Sequence, residues 1–408
     1  MKRRDFIKMG VTGLAAITVG SIKIPGLYRT EAFAAAQTID LTMEAAMVEM
    51  VDGTQVFYWL FSTPTGTPPV LTPSFPGPVI FATTGDDITI NITNKLNEPH
   101  AFQILGTRVL TPPINPDKTG TVRFKAPAAG TYLYIDPLND PVNRVLGLHG
   151  ALIVSPASGN TPYTYPTTAV QQLFNDLGTK PQFPKHASYV PPLPPGWQPD
   201  RFRIWLHHQI DPAFNALAQA DFVAGRASTV SAAQMKANFL PRYFTTDGKS
   251  GGFSAHDPAI RLDGAIGQPM LVRILNAGLY THSNHLHANH FYVTAVNNSV
   301  RDSVFFLDSL TIKPLDRIDW LVPFIRPPDI AGDPNIQLRN LIPNELALTI
   351  PGSSGSPGVP QSPLPYPMHC HMEVSQTAAG GNYPQGSITH FNFTGDVDGV
   401  DFPNVTGM

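Results

Sequence analysis

Between residues 37 and 156 apolar positions recur every second residue, in short runs separated by glycine and proline. Gly85-Asp-Asp-Ile88-Thr-Ile90-Asn-Ile92-Thr-Asn94 is the cleanest case. Its isoleucines share one face and its polar residues the other, the period of a half-buried strand. Gln55-Val-Phe-Tyr-Trp-Leu-Phe61, Gly130-Thr-Tyr132-Leu-Tyr134 and Ala151-Leu-Ile-Val154 read as further strands, rich in β-branched and aromatic residues. Short strands broken by turn residues at this density predict an all-β sandwich or barrel. β structure resumes at Arg201-Phe-Arg-Ile-Trp-Leu206. Asp211-Pro212 then reads as a helix cap with proline in the first turn, Gly225 as its stop, and a second short helix is expected after Ser228. Both are expected as surface insertions.

The pattern repeats. Ile80, Gly85, Ile88, Ile90, Ile92, Asn94 and His100 stand at the same offsets as Leu262, Gly267, Met270, Val272, Ile274, Asn276 and His282. Gly130-Thr-Tyr-Leu-Tyr134-Ile-Asp136 likewise parallels the approach to His369-Cys370. Hydrophobic alternation alone can coincide, but Gly, Asn and His together indicate a duplicated β-domain. The expected organisation is an N-terminal signal over 1–36, one domain over 37–156, a Pro-rich linker over 157–199 and a second domain over 200–408.

Composition narrows the class. Charged residues make up 14% of the 408, with 42 Pro and 33 Gly, which suits strands, turns and long irregular connections. A formal net charge of −3 offers no basic field for nucleic acid. Arg3-Arg4-Asp5-Phe6-Ile7-Lys8, the apolar stretch 9–22 and the small residues 32–36 read as a twin-arginine export signal, cleaved near Ala34 or Ala36. That predicts a periplasmic or secreted protein.

The candidate chemistry lies in two clusters. Tyr366-Pro-Met-His369-Cys370-His371 holds the one cysteine of the chain, so no internal disulfide is possible. Thiolate and imidazole are ligands for copper or zinc. On an extended segment His369 and His371 point one way and Cys370 the other, so one tripeptide can serve two metal sites back to back. The second cluster, His282-Ser-Asn-His285-Leu-His287, is expected on a loop after the strand near 271–275. A closed structural zinc site needs four converging ligands, which the opposed directions of Cys370 and its neighbours make awkward.

These motifs resemble those of the multicopper oxidases, a family built from repeated cupredoxin domains. His282-x-x-His285-x-His287 is similar to the family's third motif and His369-Cys370-His371 to its fourth. Pro76-Gly-Pro78 through Asn94 and Gly147-Leu-His-Gly-Ala-Leu-Ile-Val154 resemble framework segments of its first domain. The resemblance implies two cupredoxin-like Greek-key domains joined by the Pro-rich linker, with short helical insertions, and copper as cofactor. It implies that His282 and Cys370 bind a type 1 copper that accepts single electrons, and that His100 and His285 bind a type 2 copper. His287, His369 and His371 would serve the type 3 coppers, where oxygen is reduced to water, so Cys370, His369 and His371 form the electron path.

The pattern is incomplete. The first motif is His100-Ala-Phe102, and the second is replaced by Tyr134-Ile135-Asp136-Pro137. Past the cysteine, Ser375 or Gln376 stands where a second type 1 histidine belongs, and no methionine holds the axial position. Gln376, Gln385 and His390 are the nearby candidates for the third thiolate-site ligand. His207 and His208, at a strand end, carry weak claims, and His149 and His390 read first as strand residues.

Three functions follow as alternatives. The first is an exported copper oxidoreductase drawing electrons from phenols, metal ions or a redox protein, with O2 as a possible acceptor. The second is a copper-binding or electron-transfer protein of the same fold without full oxygen reduction, and the third a metal-free scaffold. Two-domain members of the family complete the histidine cluster between chains, which makes a homotrimer a further expectation.

Overall fold

The computed structural model describes residues 16–17, 36–65, 70–72, 75–179, 201–326, 364–379 and 381–395. Most of the stretch 1–36 expected as an export signal and residues 180–199 of the expected linker lie outside them. The described chain forms two β-sandwiches of matching topology. In the first, Val79–Thr83, His149–Ser155, Gly130–Ile135 and Gln103–Ile104 lie side by side, with Ala16–Ile17 added at the outer edge. In the second, Leu262–Gly264, Ile388–Phe393, Leu364–Cys370, His282–Leu286 and Ser309–Ile312 repeat that order. The facing sheets also correspond. Gln55–Thr65, Ala36–Glu49, Asp87–Asn94 and Thr119–Lys125 match Tyr243–Thr246, Phe202–Ile210, Met270–Asn276 and Arg317–Val322.

Alternation builds the cores. Ile88, Ile90 and Ile92 are buried and pack with Ile39, Leu41 and Trp59 between the sheets of the first domain. Each fully buried isoleucine contributes about 1.5–3 kcal/mol. The second core centres on Trp205, Trp320 and Phe291, the last two stacked at 3.6 Å.

The turn asparagines show how closely the halves correspond. Asn94 donates to the carbonyls of Glu98 and Ile114 and accepts from the Leu96 N–H. Asn276 donates to those of Tyr280 and Ile312 and accepts from the Gly278 N–H. Each closes the loop that presents a histidine, His100 or His282. These amides tie the two ends of each loop together through backbone groups.

Two stretches differ from the sequence expectation. The helices Pro212–Val223 and Ala232–Asn238 form as predicted, capped by Asp211 and by a Ser231–Gln234 capping box. They are not loose surface insertions: Phe214, Ala218 and Met235, with Val230 from the connection between them, join the core of the first domain. Within the Pro-rich linker, Thr168–Thr179 is a helix whose Val170, Leu173, Phe174 and Leu177 recur at helical spacing and pack near Ala295 and Leu321 of the second domain.

The two domains press together over Leu133, Ile135 and Ile153 on one side and Ile204, Leu206 and Leu275 on the other. Beside this apolar seam lies a polar one. Arg273 donates to Thr131 and reaches Asp319, and Thr131 and Tyr163 donate to the Asp319 carboxylate.

Candidate metal centre

The first histidine cluster is a strand, not the loop the sequence suggested. His282–Leu286 pairs antiparallel with Leu364–Cys370, His285 directly opposite His369 and Asn284 opposite Cys370. Two extended segments side by side sort their residues by parity. His282, Asn284, Leu286, Met368 and Cys370 point into the second domain and are buried. His285, His287, His369 and His371 point outward, and His287 and His371 are exposed.

On the outer face the four imidazoles touch one another. Ring centroids lie 4.7 Å apart for His285 and His371, 4.8 Å for His285 and His287, 4.9 Å for His369 and His371, and 5.2 Å for His287 and His369. Nε2 of His287 is 3.0 Å from Nε2 of His369. His285 Nδ1–H donates to the Asp308 carbonyl at 3.1 Å, which leaves its Nε2 free to bind. Desolvation and the neighbouring rings lower the pKa of His287 and of His369. Those two imidazoles are therefore neutral, the metal-binding form, at ordinary pH. The donor set is wholly nitrogen, suited to copper or zinc. Among the described residues no three His, Cys, Asp or Glu side chains form a ready-made ligand sphere, because these rings pack against each other instead.

On the inner face Cys370 Sγ accepts the Ser283 N–H at 3.2 Å. Burial raises the thiol pKa, so metal binding there must displace a proton. His282 is fully buried, its pKa held well below the imidazole range by desolvation and then by His207. Its Nε2 accepts from the Gln209 side-chain amide, whose oxygen in turn accepts the Leu279 and Tyr280 N–H groups. Gly278 makes room for that amide: a Cβ there would sit 1.8 Å from the Gln209 oxygen. The other nitrogen, Nδ1 of His282, is buried without a partner. With Nε2 accepting, the ring proton sits on Nδ1, so copper binding through that nitrogen requires the proton to leave; an imidazole and a thiol on one buried face are the donor types that suit copper.

His100 does not join the outer histidines. It is buried in the first domain, its Nδ1 2.6 Å from Asp136 Oδ2, with the Asn143 amide donating to the same carboxylate oxygen. The repeat explains the misassignment: His100 is the structural twin of His282, whose partner sulfur is replaced by the Asp136 carboxylate. Of the expected ligands, His282 and Cys370 share the buried inner face, and His285, His287, His369 and His371 come together on the outer one. His390 is turned away, against His256 at 4.8 Å. The Ser375 hydroxyl is bonded to the Met372 carbonyl.

Sequence reasoning gave little weight to His207 and none to Gln209. Both contact His282 from the strand Phe202–Ile210, the His207 ring stacked on it at 4.5 Å. A His-His pair inside a largely apolar strand has no ligand-spacing motif to announce it. The signal was the parity of His207 with Gln209, two residues on.

The fold is that of cupredoxin-like multicopper oxidases, all-β with few short helices. Residues 69–159 match the family model described as multicopper oxidase. The chain is 39% identical over 105 residues to L-ascorbate oxidase of Cucumis sativus, 22% of this chain but 18% of that protein. The match thus spans less than a fifth of that relative's length. Among solved structures, the blue copper oxidase from Nitrosomonas europaea aligns with a TM-score of 0.57 and 18% identity, covering 87% of this chain and 85% of that one. The multicopper oxidase mgLAC aligns with a TM-score of 0.56 and 21% identity over 90% and 88%.

Proposed function

We propose that this chain is an exported copper-dependent oxidoreductase, with one-electron oxidation of a donor at a copper held by Cys370 and His282. A second copper-binding face of His285, His287, His369 and His371 receives the electron. One observation carries the reading: Cys370 lies inside the strand, while His369 and His371, bonded to it through the backbone, lie outside against His285 and His287. Copper, when bound, supplies the one-electron chemistry. The protein separates the two faces and joins them by a single tripeptide. It also keeps His287 and His369 neutral.

The donor class is a phenol, a metal ion or a redox protein, with O2 as the candidate acceptor. A second reading, a copper-binding or electron-transfer protein without full oxygen reduction, is favoured by one feature. Among the described residues the motif positions of the first domain offer the outer face no imidazole, since His100 is closed onto Asp136, and Phe102, Ile135 and Pro137 stand in the others. The exposed outer histidines leave room for a neighbouring copy to cover them, as in a homotrimer, although a buried His100 cannot be that copy's contribution.

The test is copper stoichiometry with visible absorption, paramagnetic resonance and oxygen uptake on the purified protein. An intense visible band together with more than one copper per chain and oxygen uptake with a phenol supports the oxidase. One copper with the band but no oxygen uptake supports the second reading. No copper after reconstitution overturns both. Light scattering measures assembly, and a clean monomer removes the trimer. A mature N-terminus near residue 36 in an exported fraction is the expected mark of the signal.

A further inference from the structure

We infer that Gln209 is a positioning residue that sets the tautomer of His282: it holds the ring proton on Nδ1 and so withholds from copper the one nitrogen of that ring left without a partner. The inference rests on the copper reading above for its consequence only, because the tautomer is fixed by groups of the chain itself.

Backbone N–H groups decide which way the Gln209 amide faces. Its Oε1 accepts the Leu279 N–H at 2.7 Å and the Tyr280 N–H at 2.9 Å, and N–H groups can only donate. The amide nitrogen is left to face Nε2 of His282, which must therefore be the bare, accepting nitrogen of a neutral ring. Turning the amide over would set its NH2 against two N–H groups. The turn that carries them is itself held from both domains. The Asn276 amide donates to the Tyr280 carbonyl and accepts the Gly278 N–H. From the first domain, the buried Arg144 guanidinium donates to the Ala277 and Gly278 carbonyls.

The first domain shows that the fold does not require this amide. Gln209 stands where that domain has Ala45, each two residues beyond the partner of the turn asparagine: His207 opposite Asn276, Met43 opposite Asn94. His100, the twin of His282, also carries a proton on Nδ1, but donates it to the Asp136 carboxylate at 2.6 Å. In the second domain a different side chain, acting on the opposite nitrogen, sets the same tautomer, and the resulting Nδ1–H is buried with no acceptor. Keeping a buried N–H without a partner is costly. A carboxylate in place of the amide would remove that cost, because both of its oxygens accept. One could keep the two backbone N–H groups while the other takes a proton on Nε2, which leaves Nδ1 bare for a metal.

The experiment takes the full-length protein with its histidine side chains labelled with heavy nitrogen. Long-range proton–nitrogen spectra of the copper-free protein, with the His282 signals assigned by their loss in His282→Asn, should show the proton on Nδ1. A proton on Nε2 overturns the inference, and this measurement needs no change at Gln209. Gln209→Glu should move the proton to Nε2 and tighten copper(II) binding, read from the thiolate-to-copper band, by about tenfold or more. A Glu variant that keeps the wild-type tautomer, or that changes it with no gain in affinity, overturns the inference as well. A thiolate band in neither protein overturns the copper reading instead, and the tautomer in the copper-free protein still decides for or against Gln209.

Discussion

The two domains are built on one frame, and they differ where it matters. In each, a histidine after the turn asparagine lies beside a residue that ends a central strand, and the N–H after the histidine donates to that residue. Ala101 donates to Asp136 Oδ1 at 3.1 Å, and Ser283 to Cys370 Sγ at 3.2 Å. The backbone anchors match as well: Asp136 N–H donates to the Leu148 carbonyl at 3.0 Å, and Cys370 N–H to that of Ser387 at 3.2 Å. In the first domain the carboxylate closes directly on His100 and accepts the Asn143 amide and the Leu138 N–H. In the second the sulfur accepts the Ser283 and Met372 N–H groups and lies against Ser375, with no amide like that of Asn143 on it, and His207 stands on the neighbouring strand where the first domain has Met43. The fold supplies the position twice, and side-chain identity decides whether a carboxylate closes on the histidine or a thiol stands there.

The outer surfaces diverge in the same way. Gln103 pairs with Ile135 as His285 pairs with His369. Ile135 is buried in the seam between domains, while the histidines face outward. On the facing sheets, Thr89, Asn91 and Thr93 of the first domain stand where Leu271, Arg273 and Leu275 stand in the second. Only the second set is buried, because the first domain packs against it.

Acid should expose the difference most strongly. His207 is pushed down to about 3 by burial, and His208 and His282 are held well below the ordinary imidazole range, also chiefly by burial. Their folded pKa values lie below the unfolded ones, so stability is complete above about pH 6.5 and falls as pH drops below it. Each group that stays neutral costs about 1.4 kcal/mol per pH unit below that value. Three of them reach about 4 kcal/mol by about pH 5.5, against about 1.4 kcal/mol for His149 of the first domain, which burial also pushes down to about 3. Hydrogen exchange should therefore show Phe202–Ile210 losing protection before Asp87–Asn94. Equal loss in both strands would mean that the second domain is not the acid-sensitive half.

Asp136→Ala comes next, at about 3–5 kcal/mol, because it leaves the Ala101 and Leu138 N–H groups, the Asn143 amide and buried His100 without their acceptor. Its counterpart Cys370→Ser should cost far less stability and abolish the thiolate band. Chemical denaturation of both variants checks this, and equal costs would break the contrast between a carboxylate closed on its histidine and a thiol in the same position.

The parity of the Cys/His tripeptide was fully legible in the sequence, because alternation in a strand is fixed by backbone geometry. So was the duplication. Its implication for His100 was available too: the offset that aligned it with His282 argued against placing it among the outer histidines. Other features depend on packing between distant segments. The docking of Phe214 and Met235 onto the first domain has no local signature, since either helix would look amphipathic wherever it packed. His207 is hidden for the same reason: its neighbours Trp205 and Leu206 read as core, and its contact with His282 joins distant segments.

Leu275→Ala should cost about 2–4 kcal/mol, the loss of a fully buried leucine at the domain seam. Thr93→Ala, at the same position in the other domain, should stay within about 0.5 kcal/mol. Thermal unfolding of the pair measures it. If Thr93→Ala proves as costly, that face of the first domain is also covered, and a second copy of the chain becomes its natural cover.

The smallest expected effect sharpens the contrast between the two sides of one strand. His371 is exposed, and its ring meets the rings of His285 and His369 at 4.7 and 4.9 Å. Removing it by His371→Ala strips no core contact, so stability should change by less than about 0.5 kcal/mol. Copper per chain should fall, because the outer face keeps three imidazoles. The thiolate band should persist, because Cys370 points the other way. Elemental analysis and absorption on one sample decide it: a band that vanishes with His371 would mean that the two faces form a single coupled site.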